Sequence, residues 1–135
     1  MATQSKKIAS TSRQKKKLKI RRKVVGTVER PRLSIFRSSK HMYAQLIADE
    51  TSKTVASAST LDKEVQAEIA KLAKEASDSK KSSKSVLAAR AVGLVLAGRS
   101  KQQKVTQVVF DRNGFVYTGR VQALADGARD GGLEF

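Results

Sequence analysis

The side chains best suited to chemistry in this sequence are lysines and arginines concentrated near its start. Residues 1–23 contain ten of them and no acidic residue. Lysine and arginine side chains neutralise phosphate groups and displace the cations condensed on a nucleic acid. Arg13, Arg21 and Arg22 could each bind a phosphate through two N–H donors, whereas the lysines act as point charges. A solvated tail and a targeting segment have similar compositions, so the run alone leaves these alternatives open.

The positive charge continues onto the part of the chain that is predicted to fold. Residues 1–40 carry fourteen basic residues and one acidic residue, whereas residues 41–135 carry fourteen basic and eleven acidic residues. A net charge of +16 repels itself unless a polyanion neutralises it, so we predict a nucleic-acid-binding surface. Its candidate residues are Arg13, Lys15, Lys16, Lys17, Lys19, Arg21, Arg22, Lys23, Arg30, Arg32, Arg37, Lys40 and His41.

The other side chains that could do chemistry are isolated in the sequence. His41 is the only histidine and there is no cysteine, so no Ser-His-Asp triad, thiolate metal site or disulfide is indicated. Residues 93–100 (GLVLAGRS) resemble a phosphate-binding P-loop, but Arg99 stands where lysine is required. Asp111 has no second carboxylate or metal ligand beside it. We therefore expect no enzyme activity, no cofactor or metal ion and no small-molecule substrate.

Three short segments with alternating or small side chains follow the basic run. They are residues 32–38 (RLSIFRS), 42–48 (MYAQLIA) and 54–60 (TVASAST). The links between them are short enough for hairpins, so we predict a three-stranded antiparallel meander. The turn at 38–41 is basic and the turn at 49–50 is acidic. We expect the first to face the nucleic acid and the second to face away from it, with ordinary turn composition as the alternative.

Two aromatic residues lie on the first two predicted strands. Phe36 and Tyr43 could stack on bases, as aromatic side chains do on sheet-based RNA readers. No RNA-recognition-motif pattern surrounds them, so packing between the strands is the favoured interpretation.

The apolar spacing changes to three and four residues after the third strand. This spacing predicts a helix over residues 61–76 that is capped by Thr60. Residues 77–85 (SDSKKSSKS) form a polar linker by composition. Residues 86–98 (VLAARAVGLVLAG) are apolar nearly all round, which predicts a buried helix that ends at Gly98.

The last third of the sequence contains one more strand and one more helix. Residues 105–110 (VTQVVF) predict the strand, and residues 121–128 have helical spacing before a Gly-Gly stop at 131–132. An Asn-Gly pair at 113–114 allows an alternative in which residues 115–117 fold back as a hairpin.

The predicted architecture is an α/β fold with a mixed sheet. A three-stranded antiparallel meander is joined by a fourth strand that a helical crossover returns, with helices packed on the sheet. Residues 1–25 are expected to be a basic, largely disordered arm, and residues 26–135 a single α/β domain. The longest apolar stretches are too short to span a membrane, so no membrane partner is expected.

Several blocks of residues resemble the bacterial-type large-subunit ribosomal protein L-eighteen family. They are residues 19–27 (KIRRKVVGT), 29–38 (ERPRLSIFRS), 40–45 (KHMYAQ), 56–61 (ASASTL), 109–112 (VFDR), 119–126 (GRVQALAD) and 132–135 (GLEF). The blocks occur in the family's order from about residue 15 onward, so the likeness is specific.

The resemblance implies a structural constituent of the large ribosomal subunit that binds 5S rRNA. It also implies attachment of 5S rRNA to large-subunit rRNA in the central protuberance, among neighbouring ribosomal proteins. The location would be the ribosome, in bacterial cytoplasm or in the stroma of an organelle. The family's RNA-binding arm maps onto residues 13–23. Its basic first-strand region maps onto Arg30, Arg32, Arg37, Lys40 and His41.

The resemblance also bears on the alternatives. It implies that residues 119–120 open the last helix, which argues against the hairpin. Gly127 stands inside that helix where alanine is usual, at a cost in helix propensity of about 1 kcal/mol.

The main rival function is that of a free, general nucleic-acid-binding protein. A small nuclease or hydrolase is a more distant rival.

Overall fold

The structure, a computed structural model, describes residues 11–75 and 86–135. Its elements are α1 (Ser12–Arg21), β1 (Arg32–Arg37), β2 (Met42–Ala48), β3 (Lys53–Ser59), α2 (Lys63–Glu75), α3 (Val86–Gln102), β4 (Val109–Asp111) and α4 (Arg120–Asp130). The order after α1 is the predicted one. The predicted linker at 77–85 and the first ten residues of the predicted arm lie outside the described residues. None of the described helices combines the length and apolar character that crossing a membrane requires.

The four strands form one mixed sheet in the order β3-β2-β1-β4. β1 pairs antiparallel with β2, which places Leu33 opposite Leu46, and parallel with β4, which places Leu33 opposite Phe110. β2 pairs antiparallel with β3, with a register shift between Leu46 and Ile47. The predicted α/β fold, with its meander and its fourth strand returned through helices, is confirmed.

The core lies between one face of the sheet and the helices. Alternation along β1 and β2 buries Leu33, Ile35, Met42 and Leu46 on this face. α3 contacts β2 and β3 and is flanked by α2 and α4. Its apolar side chains are buried on several sides, because this helix is covered by the sheet and by two other helices. The opposite face of the sheet carries polar side chains together with aromatic rings, one of which contacts α1.

Three predicted element boundaries were wrong. α3 continues through Gly98 to Gln102. Gly98 is exposed and its missing side chain costs only about 1 kcal/mol of helix propensity, which the flanking core residues offset. α2 begins at Lys63, so Thr60 does not cap it. The fourth strand spans only Val109–Asp111, because β1 pairs with just three of its residues.

The segment between β4 and α4 turns without forming a hairpin. Asn113 and Gly114 both have positive φ, 53° and 78°, as an Asn-Gly turn requires. Residues 115–119, which all belong to the described part of the chain, form no strand, and α4 begins at Arg120 and ends before Gly131. The family-based expectation for the last helix is therefore confirmed, and the hairpin alternative is wrong.

Candidate nucleic-acid interface

Helix α1 carries most of the candidate residues on an exposed surface. Thr11 and Gln14 cap it reciprocally, since each side chain accepts a hydrogen bond from the other's backbone N–H. None of its residues is buried. Ten residues with repeated like charges form an unstable helix in isolation, so contacts with the domain must support it. The exposed cations that it presents are Lys15, Lys16, Lys17 and Lys19.

Aromatic residues hold the first turn of α1. The Arg13 guanidinium carbon lies 4.0 Å from the centre of the Phe115 ring and 5.7 Å from that of Phe36. A Cβ on Gly114 would lie 2.6 Å from the Arg13 carbonyl oxygen, so only glycine allows this approach. Phe36 also contacts Tyr43 across the strands, with ring centres 6.1 Å apart. The predicted packing between these two rings is confirmed.

A carboxylate holds the last turn of α1. Asp49 Oδ2 lies 3.4 Å from Arg21 Nη1 and accepts a hydrogen bond of 2.6 Å from the Gly26 backbone N–H. It also accepts a hydrogen bond of 3.1 Å from Arg32 Nε. The hydrogen bonds from Arg32 lower the pKa of Asp49 to about 2, although partial burial opposes the shift. One side chain of the acidic turn therefore joins α1, the loop at Gly26 and β1.

Arg32 is the candidate residue that the fold places inside the protein. It is 8% exposed, and its Nη1 donates a 2.9 Å hydrogen bond to Asp111 Oδ2. Its Nε and Nη2 donate to the two carboxylate oxygens of Asp49 at 3.1 and 3.2 Å. Burial by itself would lower the pKa of Arg32, but the hydrogen bonds to Asp49 and Asp111 raise it. Arg32 thus connects β1 to the turn after β2 and to β4.

The other candidates lie at or near the surface. Lys15, Lys16, Lys17, Lys19, Arg22, Lys23, Arg30 and Lys40 are exposed, and Arg13, Arg21, Arg37 and His41 are partly exposed. Arg37 lies with its guanidinium carbon 5.2 Å from the centre of the Phe115 ring, so the fold gathers Arg13 and Arg37 around one aromatic side chain. The His41 Nδ1 atom is 2.8 Å from the Thr60 hydroxyl, which fixes the imidazole at the end of β2.

Sequence reasoning missed Arg120, the first residue of α4. Its Nη1 donates a 3.2 Å hydrogen bond to the Ser38 carbonyl, which places the guanidinium at the end of β1. Burial lowers the pKa of Arg120, and the positive charge of Arg37 lowers it further. In the sequence Arg120 is an isolated charge, and only the fold brings it to Arg37. The family-like block at 119–126 was the one available signal.

Several other arginines are neutralised by acidic side chains. Arg90 pairs with Asp130, and Arg99 pairs with Asp62 and Glu64 at 2.8 and 3.2 Å. The two arginines lie on α3. Their acidic partners lie on α4, on α2 and in the turn between β3 and α2. Among the described residues, no ion pair involves Arg13, Arg37 or Arg120. The part of the chain that the structure describes also contains no group of three metal-ligating side chains. An extended anion could therefore bind across the exposed lysines of α1 and these three arginines.

Comparison with known proteins identifies the family. The family model described as ribosomal L18 of archaea, bacteria, mitochondria and chloroplast matches residues 6–135. The chain is 53% identical to the large ribosomal subunit protein uL18 of Desulfatibacillum aliphaticivorans over the full length of both. It is 48% identical to the uL18 of Lachnospira eligens, over 97% of this chain and 98% of the relative. It is 50% identical to that of Sorangium cellulosum, over 91% and 94%. The chain therefore belongs to the ribosomal L18 family.

Proposed function

We propose that this protein binds 5S rRNA and helps to attach it to large-subunit rRNA in the central protuberance, beside the ribosomal proteins there. Its family membership makes it a structural constituent of the large ribosomal subunit, found in the ribosome, and not an enzyme. The more specific role is supported by the blocks of residues that resemble the family and by the cationic surface of the folded chain.

The observation that carries the proposal is the exposure of α1. Its four lysines are exposed, while its two end arginines hold it against the domain through Phe115 and Asp49. The helix therefore presents exposed positive charges from a position that its contacts with Phe115 and Asp49 support. Double-stranded RNA hides the base edges of its major groove, so such a surface reads backbone shape and phosphate spacing.

The roles of the candidate residues divide by exposure. We assign phosphate contacts to the exposed and partly exposed cations of residues 13–23, with Arg30, Arg37, Lys40 and His41 extending the surface along β1. Arg32 is a positioning residue, because its guanidinium is already hydrogen-bonded to Asp49 and Asp111. In this proposal residues 1–25 are the RNA-binding arm and residues 26–135 are the domain that docks on 5S rRNA.

The mechanism requires strong salt dependence. A protein that makes about 6–10 phosphate contacts loses about 10³–10⁵ in affinity between about 50 and about 200 mM salt. The reason is that the entropy gained by releasing condensed counterions falls as the salt concentration rises. We expect a loss of this size for 5S rRNA. An affinity that hardly changes over this range would contradict a phosphate-led mechanism.

A competition binding assay tests the proposal. Labelled 5S rRNA is bound to the full-length protein and displaced by unlabelled 5S rRNA, tRNA or duplex DNA at fixed salt. The variant carries Lys15→Gln, Lys16→Gln, Lys17→Gln and Lys19→Gln, which removes four charges from α1 but keeps Arg13 and Arg21. A matched control replaces Lys63, Lys71, Lys74 and Lys101 on α2 and α3 by glutamine.

The outcomes separate the functions. Preference for 5S rRNA that the α1 variant weakens and the control retains would support the proposed role of the arm. Preference that neither variant changes would move recognition to the domain. Equal binding of all three competitors would favour the general nucleic-acid-binding alternative and contradict the proposal.

A further inference from the structure

We propose that Arg37 and Arg120 together bind one phosphate group of the RNA backbone at the end of β1. This inference rests on the proposed function and adds to it a discrete site that includes Arg120. The two residues are 83 positions apart in the sequence, so the site exists only in the folded protein.

The structure fixes both guanidinium groups without neutralising them. Arg120 is held by one hydrogen bond of 3.2 Å to the Ser38 carbonyl, which uses a single one of its N–H donors. Arg37 lies with its guanidinium carbon 5.2 Å from the centre of the Phe115 ring, and its guanidinium donors form no hydrogen bond with another described residue. Both side chains are partly exposed. Fixed arginines with unused donors are suited to an incoming phosphate, because little side-chain entropy remains to be lost.

The hydrogen bond from Arg120 to the carbonyl of Ser38, the residue after Arg37, brings the Arg120 guanidinium to the end of β1 that carries Arg37. Burial of Arg120 and the charge of Arg37 both disfavour the charged form of Arg120. Within residues 11–75 and 86–135, no carboxylate forms an ion pair with either arginine. Two cations held together at a cost, without an acidic partner, are stabilised by an anion that contacts both.

The start of α4 adds positive electrostatic potential beside Arg120. Gly119 provides no side-chain cap, and the first turn of the helix contains no acidic residue. The unpaired backbone N–H groups of this turn therefore contribute partial positive charge beside Arg120. A phosphate is preferred to a base here because arginine donors and helix N–H groups recognise negatively charged oxygen atoms.

The test measures the affinity for 5S rRNA of Arg37→Gln, Arg120→Gln and the double variant as a function of salt. Each single variant should bind about tenfold more weakly at about 0.15 M salt, the effect of losing charged hydrogen bonds. Each keeps one cation on the phosphate, so the slope of log affinity against log salt should change by less than 1. The double variant should lower the slope by about 1, as expected for one phosphate, and not by about 2.

Two further variants control for charge and folding. Arg90→Gln removes a partly exposed arginine that is paired with Asp130 on the helical side, and should leave affinity and slope unchanged. Arg120→Lys keeps the charge and should recover part of the affinity but not all of it, because an ammonium group cannot make the paired contacts of a guanidinium. Thermal unfolding of each variant shows whether the loss of the Ser38 contact has damaged the fold. If Arg120→Gln unfolds early, Arg37→Gln and Arg120→Lys still decide the question.

The results separate this site from the proposed function. If the wild-type protein prefers 5S rRNA but Arg37→Gln and Arg120→Gln behave like Arg90→Gln, the phosphate site is wrong and the function stands. If the double variant lowers the slope by about 2, the arginines bind separate phosphates and the shared site is wrong. If the wild-type protein shows no preference for 5S rRNA, the proposed function fails. The same variants measured on duplex RNA then judge the site alone.

Discussion

Gly93 of α3 faces the Leu124 carbonyl of α4 so closely that a Cβ on Gly93 would lie 2.2 Å from that oxygen. Gly127 of α4 approaches α3 equally closely, since a Cβ on Gly127 would lie 2.3 Å from the Arg90 carbonyl oxygen. The two glycines let the helix backbones approach each other. The propensity cost expected for Gly127 from the sequence is therefore offset by close packing of the two helices.

Gly93→Ala should destabilise the protein by about 2 kcal/mol, because the added methyl group meets backbone atoms that cannot rotate away. Urea unfolding followed by circular dichroism measures the change. Gly98→Ala is the matched control in the same helix, where a Cβ has no atom within 4 Å. It should be neutral or stabilising by up to about 1 kcal/mol. Equal effects of the two substitutions would contradict the close approach.

Asp49→Asn should destabilise the protein at neutral pH by about 2 kcal/mol, from the shift of a carboxyl pKa from 3.8 to about 2. Because the folded pKa is depressed, the ionised carboxylate stabilises the fold above about pH 4. That stability is lost as the pH falls towards 2. The unfolding free energies of wild type and variant should therefore converge below this range. Glu50→Gln, at the exposed neighbouring position, should show the wild-type pH dependence.

Substitutions of Arg30 and Arg32 should affect different properties: that of Arg32 the stability of the fold, and that of Arg30 the binding of RNA. Arg32→Met leaves Asp111, which is fully buried, without its 2.9 Å partner, and should destabilise the fold by about 3 kcal/mol. Arg30 is exposed, so Arg30→Met should hardly change stability but should lower the salt slope of RNA binding by about 1. Denaturant titration and salt-dependent binding measure the two effects. A large loss of stability in the Arg30 variant would contradict this division.

Phe115→Leu should loosen α1 while the domain stays folded. Leucine keeps the site apolar but removes the ring that Arg13 contacts at 4.0 Å, a contact worth about 0.5–1 kcal/mol. Amide hydrogen exchange in residues 13–21 should accelerate by about twofold to fivefold. Tyr117→Leu, at an exposed ring that contacts Phe110 instead, should leave exchange in α1 unchanged. Unaltered protection in the Phe115 variant would show that α1 is held by other contacts.

The fold was predictable where one apolar period dominates a segment. Leu33 and Ile35 alternate along β1, and Val65 and Ile69 recur at helical spacing in α2. The length of α3 was not predictable, because a single exposed glycine inside a helix looks like a helix end. The length of the strand at 105–110 was overestimated, because a run of β-branched residues does not show how many residues of the neighbouring parallel strand are available for pairing.

The candidate interface was predictable as a charge distribution but not as a set of roles. The exposed lysines of α1 follow from their density in the sequence. The burial of Arg32 depends on Asp49 and Asp111, which are 17 and 79 residues away. The position of Arg120 near Arg37 depends on the start of α4 lying at the end of β1. Separations of this size carry no local signal, so these roles required the three-dimensional structure.

The parallel pairing of β4 with β1 implies an order of events during folding. The meander of β1, β2 and β3 closes through short turns, whereas Arg32 pairs with Val109 only after a long segment has been brought back. Closing that larger loop has a higher entropic cost, so it should come later. Arg120 reaches Arg37 only after this step. A chain that has stalled before this step would lack both the Phe115 ring that supports α1 and the Arg120 side chain, so in the proposed function tight binding of RNA would require completed folding.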